Sequence, residues 1–309
     1  MPRFSGIIPP VVTPLITHDQ LDVNAVDRIV NHLIAGGVNG LFVLGTTGEG
    51  PSVMYQTRYE MVERACEAAA GRVPVLVGVT DTSLAESIHL AQHAATCQAA
   101  AIVAAAPYYY ATNQNGVADW FRQLADASSL PLMLYNMPGC VDIHVDIETV
   151  EALSRHANIV GVKDSSGNLE YFGQLCDRFS DNEDFAVFMG PEELIPQAVA
   201  AGADGGVCGG GNLLPQVYVD LFAAAQRGDE AQVSRLMTVV DGVFRHVYRD
   251  PSGNMNLIPA LKLAMEHTGL CSRCVAPPLP AVSEEHEQQV LSQLDGILAL
   301  AGSSLTAVR

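Results

Sequence analysis

Apolar residues along this chain recur in two alternating rhythms. Short β-rich runs at 7–13, 40–44, 75–79, 101–105, 130–135, 159–163, 186–189 and 205–208 are each followed by polar or glycine residues. Between them lie longer stretches, 23–34, 56–70, 84–97, 117–127, 147–157, 169–179, 192–201 and 214–227, whose apolar positions are spaced by three and four. A strand followed by a helix, eight times over, is the pattern of a parallel sheet closed on itself. The expectation is an α/β protein whose residues 1–228 form a (βα)8 TIM barrel. Gly36-Gly37 and Gly202 fall where helices should stop; Asp81 or Thr82, and Asp146, fall where helices should be capped. After Gly228 the strand rhythm ceases. Three amphipathic stretches, 230–247, 257–268 and 283–300, make residues 229–309 a C-terminal helical appendage, split by a loop at 275–280.

Composition narrows the partners. A formal charge of -18 and a pI near 4.7 would repel a phosphate backbone or an anionic bilayer over most of the surface, so neither nucleic acid nor membrane is expected. The same field opposes an anionic substrate at long range, so a carboxylate ligand needs local donors inside a cleft. No apolar run is long enough to span a bilayer, and the N-terminal residues lack a signal-peptide pattern, which points to the cytoplasm. Seven cysteines, an odd number in apolar segments, fit reduced thiols. Cys271 and Cys274 have the spacing of half a zinc site, but no second pair accompanies them, and no metal is expected.

The chain has only two lysines, and Lys163 interrupts the apolar run Ile159-Val160-Gly161-Val162 just before Asp164-Ser165-Ser166-Gly167. In a strand buried on both faces an ammonium is costly unless it is paired or gives up its proton. Burial favours the neutral amine of a lysine, and a neutral amine attacks ketones, so Lys163 is a candidate Schiff-base nucleophile. The alternative is a strand-end lysine that snorkels to solvent or pairs with Asp164.

In a barrel, chemistry belongs at the C-terminal ends of the strands. Strand two runs into Gly45-Thr46-Thr47-Gly48-Glu49-Gly50, whose hydroxyls and N–H groups suit a carboxylate. Strand four leads to Tyr108-Tyr109-Tyr110, strand five ends on Tyr135-Asn136-Met137-Pro138-Gly139, and strand seven leads to Gly190-Pro191-Glu192-Glu193. Strand eight ends on Cys208, placed with the substrate-binding candidates, and Gly209-Gly210-Gly211 follows without a P-loop lysine. Each motif has a plainer reading: turn chemistry for the threonines, interface packing for the tyrosines, and a favourable helix-dipole interaction for the glutamates.

The segments GTTGEGPS, YNMPG and IVGVKDSSG, in this order and spacing, resemble the dihydrodipicolinate synthase and N-acetylneuraminate lyase family over essentially the whole chain. The resemblance implies a class I aldolase that forms an imine between Lys163 and pyruvate or another 2-oxo acid, with an aldehyde as the second partner and no cofactor. It implies that Tyr135 moves protons, that Thr46 and Thr47 bind the carboxylate and Thr47 passes the proton onward, and that Tyr109 reaches a neighbouring subunit of a homotetramer packed partly through the appendage. Gly190 would admit the substrate to the backbone, and Glu192 would hold a polyhydroxy tail. Pro191 is foreign to that last pattern. Where the synthases carry a carboxylate-binding arginine, two residues after the motif's proline, this chain has Cys140. A thiol makes no bidentate carboxylate contact, so a 2-keto-3-deoxy sugar acid or sialic acid is expected ahead of the synthase reaction, a dehydratase or a non-catalytic 2-oxo acid sensor.

Overall fold

A computed structural model describes residues 4–306. In chain order the strands are β1 (Gly6–Ile7), β2 (Leu15–Thr17), β3 (Gln20–Leu21), β4 (Leu41–Val43), β5 (Val75–Gly78), β6 (Ala101–Ala105), β7 (Leu132–Asn136), β8 (Ile159–Asp164), β9 (Ala186–Met189) and β10 (Gly205–Gly206). Eight of them form one parallel sheet in the order β1, β10, β9, β8, β7, β6, β5, β4. β5 to β9 are buried along their whole length, as strands covered on both faces must be. The sheet curls into a TIM-barrel-like form. Its seam between β1 and β4 is a single bridge, Pro10 to Phe42, supported by Val11 N–H on Phe42 O at 2.8 Å and Phe42 N–H on Pro9 O at 3.0 Å. The predicted first strand, 7–13, shortens to two residues because Pro9 and Pro10 have no N–H for a ladder. β2 and β3, an antiparallel pair, were not anticipated.

The sheet is wrapped by α1 (Val23–Ala35), α2 (Tyr55–Ala69), α3 (Leu84–Thr96), α4 (Gln114–Ala127), the one-turn α5 (Pro138–Val141), α6 (Ile147–Ser154), α7 (Leu169–Phe179), α8 (Ile195–Ala200) and α9 (Pro215–Arg227). α1 illustrates the local cause: Asp22 accepts from Ala25 N–H at 3.0 Å, and Val26, Ile29, Val30 and Leu33 form the buried stripe. Ser83 caps α3, while Asp81, the expected cap, accepts from Ser83 N–H and from Arg58. The predicted helix 192–201 splits into a 3-10 turn, Glu192–Leu194, and α8, whose first turn holds Pro196.

Gly228, left-handed at φ 68°, closes α9. α10 (Glu230–His246), α11 (Leu257–His267) and α12 (Glu284–Thr306) follow, with α10 packed on α9 and α12. No described helix is long and apolar enough to cross a membrane.

Candidate active site

The register of two neighbouring strands sets the centre of the site. Tyr135 of β7 pairs with Lys163 of β8, and Asn136 pairs with Asp164 one step on. Side chains alternate along a strand, so the two pairs serve different faces. Lys163 Nζ lies 4.1 Å from the Tyr135 ring centroid and 5.2 Å from that of Phe42, and the residue is 4% exposed. Asp164 does not pair with it. Asn136 Nδ2 donates to Asp164 Oδ1 at 2.6 Å, Ser166 Oγ donates to Oδ2 at 2.9 Å, and Val145 N–H donates to Asn136 Oδ1 at 3.1 Å. Burial pushes the Asp164 carboxyl up, and these donors pull against that shift. The polar network on this face clamps the two strand ends and so holds Lys163 beside Tyr135.

Facing them is the turn after β4. Leu44, left-handed at φ 57°, starts it. Gly50 N–H donates to Gly45 O at 3.2 Å, and Glu49 N–H donates to Thr46 O at 3.0 Å. A Cβ on Gly50 would sit 2.1 Å from Leu44 O, so no other residue fits there. Thr46 Oγ1 and Tyr135 Oη are 3.2 Å apart. The hydroxyl in reach of the phenol is thus that of Thr46 rather than that of Thr47.

Thr46, Thr47, Tyr135, Lys163, Ser165 and Gly190 line one side of a cavity of about 390 Å³. A Cβ on Gly190 would fall 1.9 Å from Ser165 Oγ, so this glycine leaves room for a hydroxyl at the cavity wall. The other side comes from the appendage: Phe244 and Tyr248 near the end of α10, Met255, and Leu257 and Ile258 at the start of α11. The sequence assigned those helices only to packing between subunits. A second cavity of about 380 Å³ meets the first at Thr46, Tyr135 and Met137 and is lined also by Tyr108, Cys140 and Pro278. A larger hollow of about 580 Å³, between the ends of α2 and α3, shares no lining residue with either.

Four residues singled out in the sequence are placed as follows. Tyr109 is 74% exposed and stacks edge-on against Tyr110, away from both cavities of its own chain, while Tyr108 lines one of them. Cys208 is fully buried and does not line the main cavity, although Val207 and Gly209 on either side do. Glu192 lines the cavity but its carboxylate is already engaged: Tyr218 Oη donates to Oε1 at 2.7 Å and Gly210 N–H to Oε2 at 2.8 Å. Burial raises its pKa. Cys140 stands exposed at the second cavity; partial burial raises its thiol pKa, and Lys163 pulls it back.

The sequence reading also overlooked Glu49 and Lys262. Lys262 Nζ pairs with Glu49 Oε1 at 2.5 Å, both side chains fully buried. Lys262 also donates to Cys274 O at 2.6 Å, and Ala276 N–H donates to Glu49 Oε2 at 2.6 Å. This knot ties the threonine turn to the appendage. Its signals were two charges of opposite sign in apolar surroundings, Lys262 between Leu261 and Leu263 and Glu49 inside a glycine turn.

Fold and cavity together are those of a TIM-barrel-like α/β enzyme with its candidate chemistry at the strand ends. Residues 3–297 match the Dihydrodipicolinate synthetase family. A 4-hydroxy-tetrahydrodipicolinate synthase of Oceanobacillus iheyensis is 31% identical over 292 residues, covering 94% of this chain and 97% of the relative. The structure of dihydrodipicolinate synthase from Bacteroides thetaiotaomicron matches with a TM-score of 0.91 and 40% identity, covering 96% of this chain and 99% of that one. A prophage protein of the dihydrodipicolinic acid synthase family from E. coli K12, solved in complex with pyruvate, matches with a TM-score of 0.87 and 30% identity, covering 96% and 99%. The chain belongs to the dihydrodipicolinate synthetase family, a family of aldolase-type lyases. Enzymes of this family use pyruvate through a lysine Schiff base, without an external cofactor.

Proposed function

We propose that this protein is a Schiff-base lyase that cleaves or forms a pyruvate-derived 2-oxo acid, with Lys163 as nucleophile. The observation that carries the reading is the β7–β8 register, which sets Tyr135 beside Lys163 in one cavity opposite the Thr46-Thr47 turn. Lys163 Nζ, as the neutral amine, attacks the ketone carbon; the oxygen leaves as water and a protonated C=N bond forms. Tyr135, having given its phenol proton to the departing oxygen, takes the C4-hydroxyl proton as phenolate while the electron pair of the C3–C4 bond flows into the imine. That bond breaks, the aldehyde departs and an enamine remains. The enamine gains a proton at C3, water adds at C2, and pyruvate leaves the regenerated amine. Thr46, 3.2 Å from Tyr135 Oη, relays the proton. Thr47 and the N–H groups of its turn hold the substrate carboxylate.

Tyr109 of a neighbouring subunit extends this relay, and its exposure supports a homotetramer. Of the expected units, 1–228 and 229–309, the described residues 4–228 form the catalytic barrel and 229–306 the appendage, with the cavity at their seam. The protein acts in the cytoplasm.

The names of the relatives support a second reading, 4-hydroxy-tetrahydrodipicolinate synthesis. Against it stands Cys140 at the arginine position, with Lys163 the sole cation among the described residues lining the two joined cavities. A 2-keto-3-deoxy sugar acid or N-acetylneuraminate is favoured by that missing arginine but gains little from Glu192, whose oxygens are engaged.

Borohydride reduction in the presence of pyruvate, followed by peptide mass analysis, tests the chemistry. A pyruvate-derived adduct on Lys163 is expected, and its absence removes the mechanism. Adduct formation without turnover of any 2-oxo acid or aldehyde would favour a sensor.

A further inference from the structure

Resting on the lyase reading above, we infer that the appendage is the specificity wall. The substrate it selects carries an uncharged alkyl or aryl group on the aldehyde-derived half, rather than a polyhydroxy chain or a second carboxylate. The cavity is chemically two-sided. Its barrel end holds Lys163 and the two threonine hydroxyls; its far end is built from Phe244, Tyr248, Met255, Leu257 and Ile258, with the Tyr248 hydroxyl the one polar group that this wall contributes. A 2-oxo acid bound by its carboxylate and ketone at the first end must direct its remaining atoms toward the second.

Three observations weigh against the polar alternatives. Charge recognition fails first, because no described lining residue other than Lys163 is cationic in either joined cavity. The nearby guanidinium, Arg249, is committed: it stacks on Phe244 at 4.9 Å and donates to Gly253 O at 2.7 Å. Hydroxyl recognition is sparsely provided. Glu192 already accepts from Tyr218 and Gly210, which leaves Glu193 and the Ser165 and Tyr248 hydroxyls as partners for a chain of several hydroxyls, each costly to bury without one. Glu193 also repels a second carboxylate.

The third observation is the segment that carries Met255. It is an ordered hairpin: Arg249 and Met255 form an antiparallel bridge, Asp250 Oδ1 accepts from Ser252 N–H at 2.9 Å and Asn254 N–H at 2.8 Å, and Asn256 N–H closes on Tyr248 O at 2.7 Å. This scaffold holds Met255 at the cavity mouth while leaving the side chain half exposed. An apolar group from the ligand would cover it, and methionine adapts readily to varied apolar shapes.

The test is competition for the lysine, which reads affinity whatever the natural reaction. Full-length protein is reduced with borohydride in mixtures of pyruvate with 2-oxo-4-phenylbutanoate, 2-keto-3-deoxygluconate or 2-oxoglutarate, and the Lys163 adducts are weighed. Burying one phenyl group against this wall corresponds to about a 10- to 100-fold preference over the other two competitors. Equal or better competition by the polyhydroxy acid or the dicarboxylate overturns the inference while leaving the lyase reading intact. No pyruvate adduct on Lys163 overturns the lyase reading itself. Met255→Asp should lower the ratio of phenyl to polyhydroxy adduct by about tenfold or more. Being a ratio within one sample, it is insensitive to partial loss of folded protein, and an unchanged value removes the hairpin from the wall.

Discussion

The only two lysines of this chain are both buried, and they sit in opposite electrostatic situations. Lys262, in α11, is paired with Glu49 at 2.5 Å and bonded to a carbonyl, so its charge is satisfied inside the fold. Lys163, at the end of β8, faces the rings of Tyr135 and Phe42 and opens on a cavity. Burial alone therefore does not mark a catalytic lysine. What separates the two is whether the protein supplies a counter-ion or leaves the amine to meet a ligand. The amine of Lys262 is held by a carboxylate and a carbonyl, whereas that of Lys163 is left facing the space a ligand would fill.

The largest effect that would break this contrast is at Lys163. Lys163→Ala should abolish the borohydride adduct and reduce turnover to background, with little change in melting temperature. An adduct in that variant, found on Lys262, would invert the assignment. Tyr135→Phe comes next, with an expected fall in kcat of roughly 10²- to 10⁴-fold, the scale of a lost general acid or base. Because the ring that flanks Lys163 survives, adduct formation should slow but still reach Lys163. A near-native kcat would move proton transfer to another group.

Lys262→Met should show the reverse profile. Removing one partner of a buried pair strands the other charge, at a cost of about 3–5 kcal/mol, so a clear drop in melting temperature is expected, with the Lys163 adduct still forming. Adding Glu49→Gln should recover part of that loss, since the stranded carboxylate disappears. If Lys262→Met melted like the parent, the pair would not be holding the threonine turn to the appendage.

Much of this was legible beforehand, and the reasons for the rest are specific. The alternation of strand and helix reads directly from apolar spacing, and Lys163 stands out because a charge interrupts a strand. β1 was overextended because apolar residues continue to Val12 while Pro9 and Pro10 remove the N–H groups a ladder needs. The engagement of Glu192 depends on Tyr218, 26 residues away in α9, and no local pattern reports such a contact. Lys262 escaped notice because a helix interior tolerates a lysine in sequence terms, and its partner lies 213 positions earlier. The appendage reads as amphipathic helices, but which of their apolar side chains turn toward the cavity is a matter of docking angle. Tyr109 differs again: its exposure gives it no role within its own chain.

Glu192 supplies the smallest and sharpest extension of the comparison, as a buried acid bonded by neutral donors rather than by a counter-ion. Burial lifts its pKa above the ordinary carboxylate value, with Gly210 N–H and Tyr218 Oη working against the shift. The folded state therefore holds its proton to higher pH than the unfolded state does. Below the unfolded pKa the associated stability is fully present; as pH rises through the folded pKa the unfolded chain releases its proton first, and that stability is lost. Glu192→Gln does not ionise, and its carbonyl can still accept from Tyr218, although its amide group sits poorly against Gly210 N–H. Melting temperature plotted against pH should accordingly be lower for this variant at acidic pH, with the gap to the parent narrowing toward neutrality. A gap that stays constant across that range would mean that Glu192 binds its proton equally in the folded and unfolded chains, and that the neutral donors fully offset its burial.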